Sequence, residues 1–305
     1  MGEVIVVTGA TGTVGREVVR ALAGGGAAVR AGVHTPSRAE GLRGTGVELV
    51  ELAYERPQTL DAAMRGATSV VVLLPFAEAL ADMGTAVVEA ARRAGVRRGV
   101  LLSRLGADAE SPTALGRLYR RVEVHAMESS IAFRIVRTAP LMQSLVHFFG
   151  DTLRRERALF LPLGEGRVRW VHGRDVAALI ASAAARGEGP AGRNGVGRGA
   201  AHGNTGPGVL QAIAGPEALR LDEVVEILGH ALGTPLRFVD VPEEAAERAL
   251  TEGGLSPWAV RSLVEIHGEC REGLFCADTP EVDAALGRPR LRFVRYAEEV
   301  APLLR

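Results

Sequence analysis

Apolar runs and amphipathic stretches alternate through the first half of the chain. Short runs rich in valine, leucine and isoleucine, bounded by glycine, proline or polar residues, predict buried strands. These strands are predicted at 3–8, Ala28–Val33, Val47–Leu52, Ser69–Leu74, Gly99–Ser103 and Phe133–Arg137. Apolar residues three or four positions apart predict the helices between them, at 14–22, Leu60–Met64, Ala79–Ala94 and Gly116–Met127. The alternation predicts an α/β fold, a doubly wound parallel sheet with helices on both faces.

The second half of the chain has a different pattern. A turn is predicted within Leu159–Gly166, followed by a short strand at Val168–Val171. The glycine-rich Gly187–Gly208 predicts a mobile surface loop. The next predicted elements are the helices Asp175–Ala185 and Leu221–Leu232 and the strand Leu236–Val241, and several helices are predicted from there to the C-terminus. We expect a smaller C-terminal α/β lobe over 156–305, with part of 156–190 returning to the sheet.

The first predicted strand runs directly into a glycine-rich segment, G-A-T-G-T-V-G, which opens the first helix. Glycines at this spacing allow a tight turn and a close approach to the backbone, and a helix N-terminus presents free N–H groups to phosphate. The position between a strand and a helix makes the indication much stronger than three glycines alone. The sequence therefore predicts a dinucleotide-binding domain over residues 1–155 whose phosphate loop contains Gly9, Thr11, Gly12, Thr13, Val14 and Gly15.

Composition and charge narrow the possible functions. The chain has 305 residues, 36 basic and 36 acidic side chains, and every basic one is arginine. The absence of lysine excludes any mechanism that needs a catalytic lysine, and the balanced charge argues against nucleic-acid binding. Two cysteines six positions apart indicate neither a disulfide framework nor a metal site. No membrane span or leader is expected, so we predict a cytoplasmic protein that acts on a small molecule and can form a homo-oligomer.

Three further segments carry a resemblance to a known family. They are G-V-L-L-S-R-L-G-A-D from Gly99, L-P-L-G-E-G-R-V-R-W-V-H-G-R-D-V-A from Leu161, and I-A-G-P-E-A-L from Ile213 with G-T-P from Gly233. Together with the opening V-T-G-A-T-G-T-V-G, they resemble the NmrA-like branch of the atypical short-chain dehydrogenase/reductases. The resemblance implies a Rossmann fold over nearly the whole chain. It also implies an NAD(P)H-dependent quinone or triphenylmethane reductase, a tailoring reductase, or a redox sensor that binds the dinucleotide without turnover.

The chain departs from this family and its superfamily at two informative places. The third strand often ends in Gly-Asp, whose acid lies near adenine, but here the chain reads Leu52-Ala53. The wider superfamily uses Tyr-x-x-x-Lys, and Tyr119 has that spacing to Glu123 instead of lysine. A carboxylate one helical turn away raises a phenol pKa, so we expect Tyr119 to be a weaker proton donor than in the superfamily.

The end of the second strand bears on the choice of cofactor. A site that prefers NAD needs an acid there to accept from the ribose 2′-OH, and no acid lies between Glu17 and Glu40. Arg38 can hold a 2′-phosphate by paired hydrogen bonds, Ser37 and Thr35 can add hydroxyl donors, and His34 stands where the family often has arginine. We predict that NADPH is preferred over NADH. The alternative is that Arg38 is a solvated surface charge and the site is indifferent.

The candidate catalytic groups are Ser103, Tyr119 and His172. Ser103 ends the fifth strand, where the superfamily places a hydroxyl on the substrate side, although it can equally cap the strand or contact the nicotinamide ribose. Tyr119 is a general acid or a substrate-lining side chain. His172 delivers a proton or shapes the turn before Asp175, which caps the next helix or pairs with Arg174.

We expect the nicotinamide to reach Leu74, Pro75 and Ser103. An apolar and aromatic cluster after the sixth strand either walls a flat substrate or packs the lobe, and contains Met142, His147, Phe148 and Phe149. The favoured function is hydride transfer from NADPH to a flat, electron-poor acceptor such as a quinone, enone, polycyclic ketone or epoxide, in natural-product tailoring. The alternatives are a non-catalytic redox sensor and an epimerase or cyclase that retains its cofactor.

Overall fold

A computed structural model describes residues 3–35, 39, 41–42, 47–108, 110–185 and 209–305. The predicted site residues Ser37 and Arg38 and the predicted loop Gly187–Gly208 lie outside these ranges. The described elements, in chain order, are β1 (Val4–Val7), α1 (Thr13–Gly24), β2 (Ala28–Val33), β3 (Glu48–Glu51), α2 (Pro57–Met64), β4 (Ser69–Val72), α3 (Leu80–Arg93), β5 (Arg98–Arg104), α4 (Ala114–Glu128), β6 (Ala132–Thr138), α5 (Met142–Glu156), β7 (Ala158–Leu161), α6 (Gly173–Ala185), β8 (Val209–Ile213), α7 (Leu221–Leu232), β9 (Arg237–Asp240), α8 (Glu243–Glu252), α9 (Pro257–Arg271), α10 (Glu281–Leu286) and α11 (Phe293–Val300).

A seven-stranded parallel sheet has the strand order β3-β2-β1-β4-β5-β6-β8. The order reverses between β1 and β4, which is the switch point where doubly wound folds bind their ligands. All four residues of β4 are buried, because helices cover both faces of the sheet. The predicted fold class is therefore confirmed.

The described chain divides into two compact units. The first comprises Met1–Glu110, Gly116–Arg137 and Val176–Gln211, and the second comprises Ser111–Leu115, Thr138–Asp175 and Ala212–Arg305. In the second unit β7 and β9 form a parallel pair, with Ala158 opposite Arg237. None of the helices in the described ranges is both long enough and apolar enough to cross a membrane.

The structure differs from the sequence prediction mainly after residue 138. The predicted strand Val168–Val171 is wrong, because the segment makes only single bridges at its two ends, to Leu219 and Leu141. The helix α5 was not predicted, since its interior Gly150 and adjacent aromatic residues obscure the helical period. The strands β7 and β8 were also missed, because each is a short run of four or five residues.

Close packing of α3 against α4 depends on Gly84. A β-carbon built at Gly84 would lie 2.7 Å from both γ-carbons of Val122. Real β-carbons do not approach side chains so closely, so any larger residue must push the two helices apart.

We predict that Gly84→Ala destabilises the protein by about 1–3 kcal/mol, because the overpacking outweighs the better helix propensity of alanine. Gly24→Ala is the matched control, since Gly24 is also helical and a β-carbon there meets nothing within 4 Å. The control should be neutral or slightly stabilising in urea denaturation. Equal effects of the two substitutions would contradict the packing argument.

Candidate functional site

The glycine-rich loop after β1 turns tightly because two of its glycines lie against each other. Gly9 has a φ of +58°, and a β-carbon at Gly15 would lie 2.1 Å from the Gly9 carbonyl oxygen. Only glycine fits at either position, for its backbone conformation at Gly9 and for space at Gly15. The start of α1 is thereby held directly on the end of β1.

The helix α1 begins at Thr13, with Gly12 as its N-cap. The first helical hydrogen bond runs from the Arg16 N–H to the Gly12 carbonyl oxygen, at 3.1 Å. The Gly12 N–H donates to the Gly9 carbonyl oxygen at 2.9 Å, so the N–H groups that point out of the helix end are those of the first turn of α1, where the helix dipole is positive. Gly12 and Thr13 are both exposed, so an anion can approach these groups. This cradle fits the diphosphate of a dinucleotide.

Hydrogen bonds fix the carboxyl ends of β1 and β4 to each other. The Thr8 hydroxyl donates to the Leu73 carbonyl oxygen at 2.8 Å and accepts from the Leu73 N–H at 2.9 Å. The Tyr54 hydroxyl, which comes from the loop after β3, donates to the same carbonyl at 3.0 Å. Burial raises the pKa of Tyr54, against the effect of its hydrogen bond with Thr8. The residues around the switch point are therefore held rigidly.

Ser103 lies beside the segment that follows β4. Val72 is opposite Leu101 in the parallel pairing of β4 and β5, so two residues further on Leu74 comes next to Ser103. The Ser103 side chain is 1% exposed, and its Oγ has no hydrogen-bond partner among the described residues. A buried hydroxyl without a partner is costly, so this atom fits a site where a bound group supplies the partner.

His34 and Glu55 follow β2 and β3, on the other side of the switch point from Ser103. The His34 Nε2 lies 3.0 Å from a carboxylate oxygen of Glu55, and its Nδ1 lies 3.2 Å from the Thr35 hydroxyl. Both side chains are well exposed. Tyr54 and Glu55 were not among the predicted site residues, because the end of the third strand was compared with the family only at Leu52-Ala53. The available signal was their place after β3, where the resembling family has its adenine-side acid.

Tyr119 lies on α4 and is half-buried. Burial raises its pKa, and the positive charge of Arg104 acts in the opposite direction. The sequence predicted that Glu123 raises this pKa, but burial is the main cause, and Arg137 neutralises the charge of Glu123. The phenol therefore stays protonated at neutral pH.

A buried ion-pair network joins α4 to β6 and to the loop after β5. Arg137 donates through Nε and Nη2 to the two Glu123 oxygens at 2.9 and 2.7 Å. It also donates to Asp108 at 2.9 Å and to the Ala107 carbonyl at 2.7 Å. Burial alone lowers the pKa of Arg137, but its bonds with Glu123 and Asp108 outweigh burial and raise it. The network thus holds α4 in register with the β5 loop.

His172 lies in the second unit, just before α6. Its Nδ1 accepts from the Arg174 N–H at 3.1 Å, so its Nε2 carries the proton and donates to Glu299 at 3.3 Å. Burial and the charge of Arg174 lower its pKa, against the effect of Glu299. Asp175 accepts from Arg288 at 2.6 Å and from the Leu291 N–H, not from Arg174, which pairs with Glu299.

Three of the four predicted substrate residues on α5 are in contact through their rings, His147 with Phe148 at 4.8 Å and Phe148 with Phe149 at 6.2 Å between centroids. Met142 is 1% exposed in the core. Phe148 and Phe149 pack against a cluster formed by Leu250, Val260 and Leu263. His147 lines a cavity of about 270 Å³ that belongs entirely to the second unit, with Gln143, Val146, Tyr296, Glu299, Val300 and Leu303. The structure therefore brings the three aromatic side chains together and leaves Met142 in the core.

Comparison with known proteins identifies the family. A family model described as NAD(P)H-binding matches residues 9–186, more than half of the chain. The chain belongs to this NAD(P)H-binding family. The NAD(P)H-binding family that the resemblance implied is thereby confirmed.

Relatives of this NAD(P)H-binding protein include two reductases of nearly the same length. The chain is 30% identical over 294 residues to the NAD(P)H azoreductase of Xenophilus azovorans, covering 96% of each chain. It is 34% identical over 305 residues to the (4-alkanoyl-5-oxo-2,5-dihydrofuran-3-yl)methyl phosphate reductase of Streptomyces griseus, covering 98% of this chain and 99% of the relative. The protein is accordingly an NAD(P)H-dependent oxidoreductase.

A solved structure agrees with this fold. The NADPH-dependent quinone oxidoreductase of Escherichia coli, in complex with NADPH, has a TM-score of 0.81 and 20% identity. The match covers 97% of this chain and 99% of that chain. At this identity the likeness concerns the fold.

We predict that Arg137→Met lowers the free energy of unfolding by about 3 kcal/mol, because it leaves a buried carboxylate without its main partner. Glu123 has no exposed side-chain surface, and among the described residues it would keep only the 3.3 Å contact with Arg120. Urea denaturation measures the change. Arg121→Met is the control, since Arg121 pairs with Asp82 on the surface at 62% and 78% exposure, and it should change stability by less than about 0.5 kcal/mol. A loss no larger than in this control would show that the network is not stabilising.

Proposed function

We propose that the protein is a reductase that prefers NADPH and transfers hydride to a flat, electron-poor acceptor. Quinones, azo compounds, enones, polycyclic ketones and epoxides are the candidate acceptor classes. The observation that carries the proposal is the unpartnered Ser103 hydroxyl on the same sheet edge as the glycine cradle. The names of the two curated relatives support a reductase acting on conjugated, electron-poor molecules.

The proposed placement of the dinucleotide follows from the strand order. The diphosphate would lie at Gly12 and Thr13, the adenosine over the β2 and β3 side, and the nicotinamide over Leu74 and Pro75. When bound, NADPH supplies the hydride, and the protein contributes by holding donor and acceptor in the reacting geometry. Rigid ends of β1 and β4, fixed by the Thr8 hydroxyl, suit this positioning role.

Ser103 is proposed to donate its hydroxyl hydrogen to the acceptor oxygen or nitrogen, or to the nicotinamide ribose. Tyr119 is proposed as a lining side chain, since its raised pKa makes it a poor acid and the chain has no lysine to lower that pKa. Water can protonate a reduced quinone, so this reaction needs no strong protein acid. A proton-donor role for His172 has less support, because both ring nitrogens already have partners within the second unit.

Preference for NADPH rests on sequence. Arg38 and Ser37 are proposed to contact the 2′-phosphate, and no acid follows β2 before Glu40. Natural-product tailoring is proposed as the setting because the Streptomyces relative reduces a furanone phosphate, as its name states.

A redox sensor remains the second candidate. The observation in its favour is the Glu123–Arg137 pair, which occupies the position where the superfamily has a catalytic lysine. Anaerobic mixing of the protein with NADPH and a panel of quinones and azo dyes separates the two functions. Acceptor-dependent loss of the reduced-nicotinamide absorbance supports the reductase. Binding of NADPH without oxidation by any acceptor supports the sensor.

We predict that Gly12→Asp weakens NADPH binding by at least about 100-fold, because it places a carboxylate against the diphosphate. Aspartate is a good N-cap, so the thermal stability of the variant should be unchanged or slightly raised. Calorimetry and a thermal melt measure the two effects. In Gly12→Ala a β-carbon would lie 3.2 Å from the Gly9 carbonyl oxygen, so this control should bind much more tightly than Gly12→Asp. NADPH binding that survives in Gly12→Asp would refute the proposed diphosphate site.

We predict that Ser103→Ala lowers kcat/KM by about tenfold, the effect of one lost hydrogen bond, without lowering stability. Ser69→Ala is a matched control, because Ser69 Oγ is also buried without a partner in the described chain but lies at the amino end of β4. The control should keep full activity. Unchanged kcat/KM in Ser103→Ala, or an equal loss in both variants, would remove the role proposed for Ser103.

A further inference from the structure

The contact between His34 and Glu55 joins two loops at the carboxyl edge of the sheet. His34 directly follows β2, and Glu55 lies in the connection from β3 to α2. Nε2 of the imidazole and Oε1 of the carboxylate are 3.0 Å apart. About 60% of each side chain is exposed, so a ligand has access to both groups.

Strand register places this contact beside the glycine cradle. Val7 is opposite Ala31, so the residue after β2 comes next to the loop that starts at Gly9. In doubly wound folds this position meets the 2′-position of the adenosine ribose. A carboxylate there accepts from the 2′-OH of NADH, and its charge repels the 2′-phosphate of NADPH.

The charges around Glu55 leave its carboxylate negative. Its pKa is lowered, first by a backbone N–H and then by the bond with His34. The neighbouring Arg56 donates to Glu51 at 2.5 Å, and Arg16, from α1, donates its Nε–H to the Thr11 carbonyl at 2.8 Å. The charge of Arg56 also lowers the pKa of Glu55, although the hydrogen bond of its guanidinium goes to Glu51.

We propose that Glu55, held by His34, limits the preference for NADPH by favouring the free ribose of NADH and opposing the 2′-phosphate. This inference rests on the proposed dinucleotide site. It identifies an acid that is supplied by the strand next to β2, not by β2 itself. In this proposal Arg38 favours NADPH and Glu55 favours NADH.

Dissociation constants of NADP⁺ and NAD⁺, measured by calorimetry, test this role without any turnover. The measured quantity is the ratio of the NAD⁺ constant to the NADP⁺ constant in the wild type, Glu55→Gln and Glu48→Gln. Glu48 is the matched control, because it is an exposed acid at the start of β3 that is paired with Arg30 of β2. Arg30 also donates to the Ala63 and Arg65 carbonyls, so losing the Glu48 charge should leave it in place.

The ratio should rise about tenfold in Glu55→Gln and by less than about twofold in Glu48→Gln. The rise should shrink as salt increases from about 0.05 to 0.5 M, since screening weakens charge repulsion at an exposed site.

An unchanged or lower ratio in Glu55→Gln, with tight binding to the wild type, would overturn the role of Glu55 alone. Equal rises in both variants would also overturn it, because they would reflect net charge. Failure of the wild type to bind either dinucleotide would overturn the proposed function together with this inference.

Discussion

The close approach of Gly15 to the Gly9 carbonyl is the constraint on which the candidate site depends. With a β-carbon position only 2.1 Å from that oxygen, α1 can sit on the end of β1 only if residue 15 has no side chain. The same approach aims the first-turn N–H groups of α1 at the switch point of the sheet. A phosphate site thus arises from backbone packing, before any charged side chain contributes. This explains how a chain without lysine and with no net charge can hold an anion.

Buried charges in the first unit serve structure, which leaves few side chains for proton chemistry. Arg137 neutralises Glu123 and ties α4 to Ala107 and Asp108. The position that holds lysine in the wider superfamily therefore carries an internal ion pair. Hydride transfer to a quinone-like acceptor tolerates this arrangement, because the main demand is alignment of two flat rings. Reduction of a simple ketone would need a stronger proton donor than the buried phenol of Tyr119.

Local patterns predicted the sheet domain well, and they failed where the elements are short or mixed. The strand β2 and the helix α7 have the predicted bounds, because each has a clear apolar period. The strand runs from an alanine to a valine, and a glycine caps the end of the helix. The helix α5 escaped prediction, since its buried residues are interrupted by aromatic side chains that pack elsewhere. The pairings of His172 and Asp175 with distant groups of the second unit were equally out of reach. Each joins residues more than 100 positions apart, and spacing along the chain carries no information about them.

In the candidate site, too, some features are formed by consecutive residues and others by residues that the sheet brings together from neighbouring strands. The glycine loop is a local feature, and its geometry follows from seven consecutive residues. The charge that we propose beside the ribose is a lateral feature, because a parallel sheet brings the ends of β2 and β3 together although His34 and Glu55 are 21 positions apart in the sequence. A search for an acid only in the residues that follow β2 is therefore not enough to predict cofactor preference. The relevant quantity is the sum of charges on the neighbouring strand ends, and in a parallel sheet that sum always includes the next strand's loop.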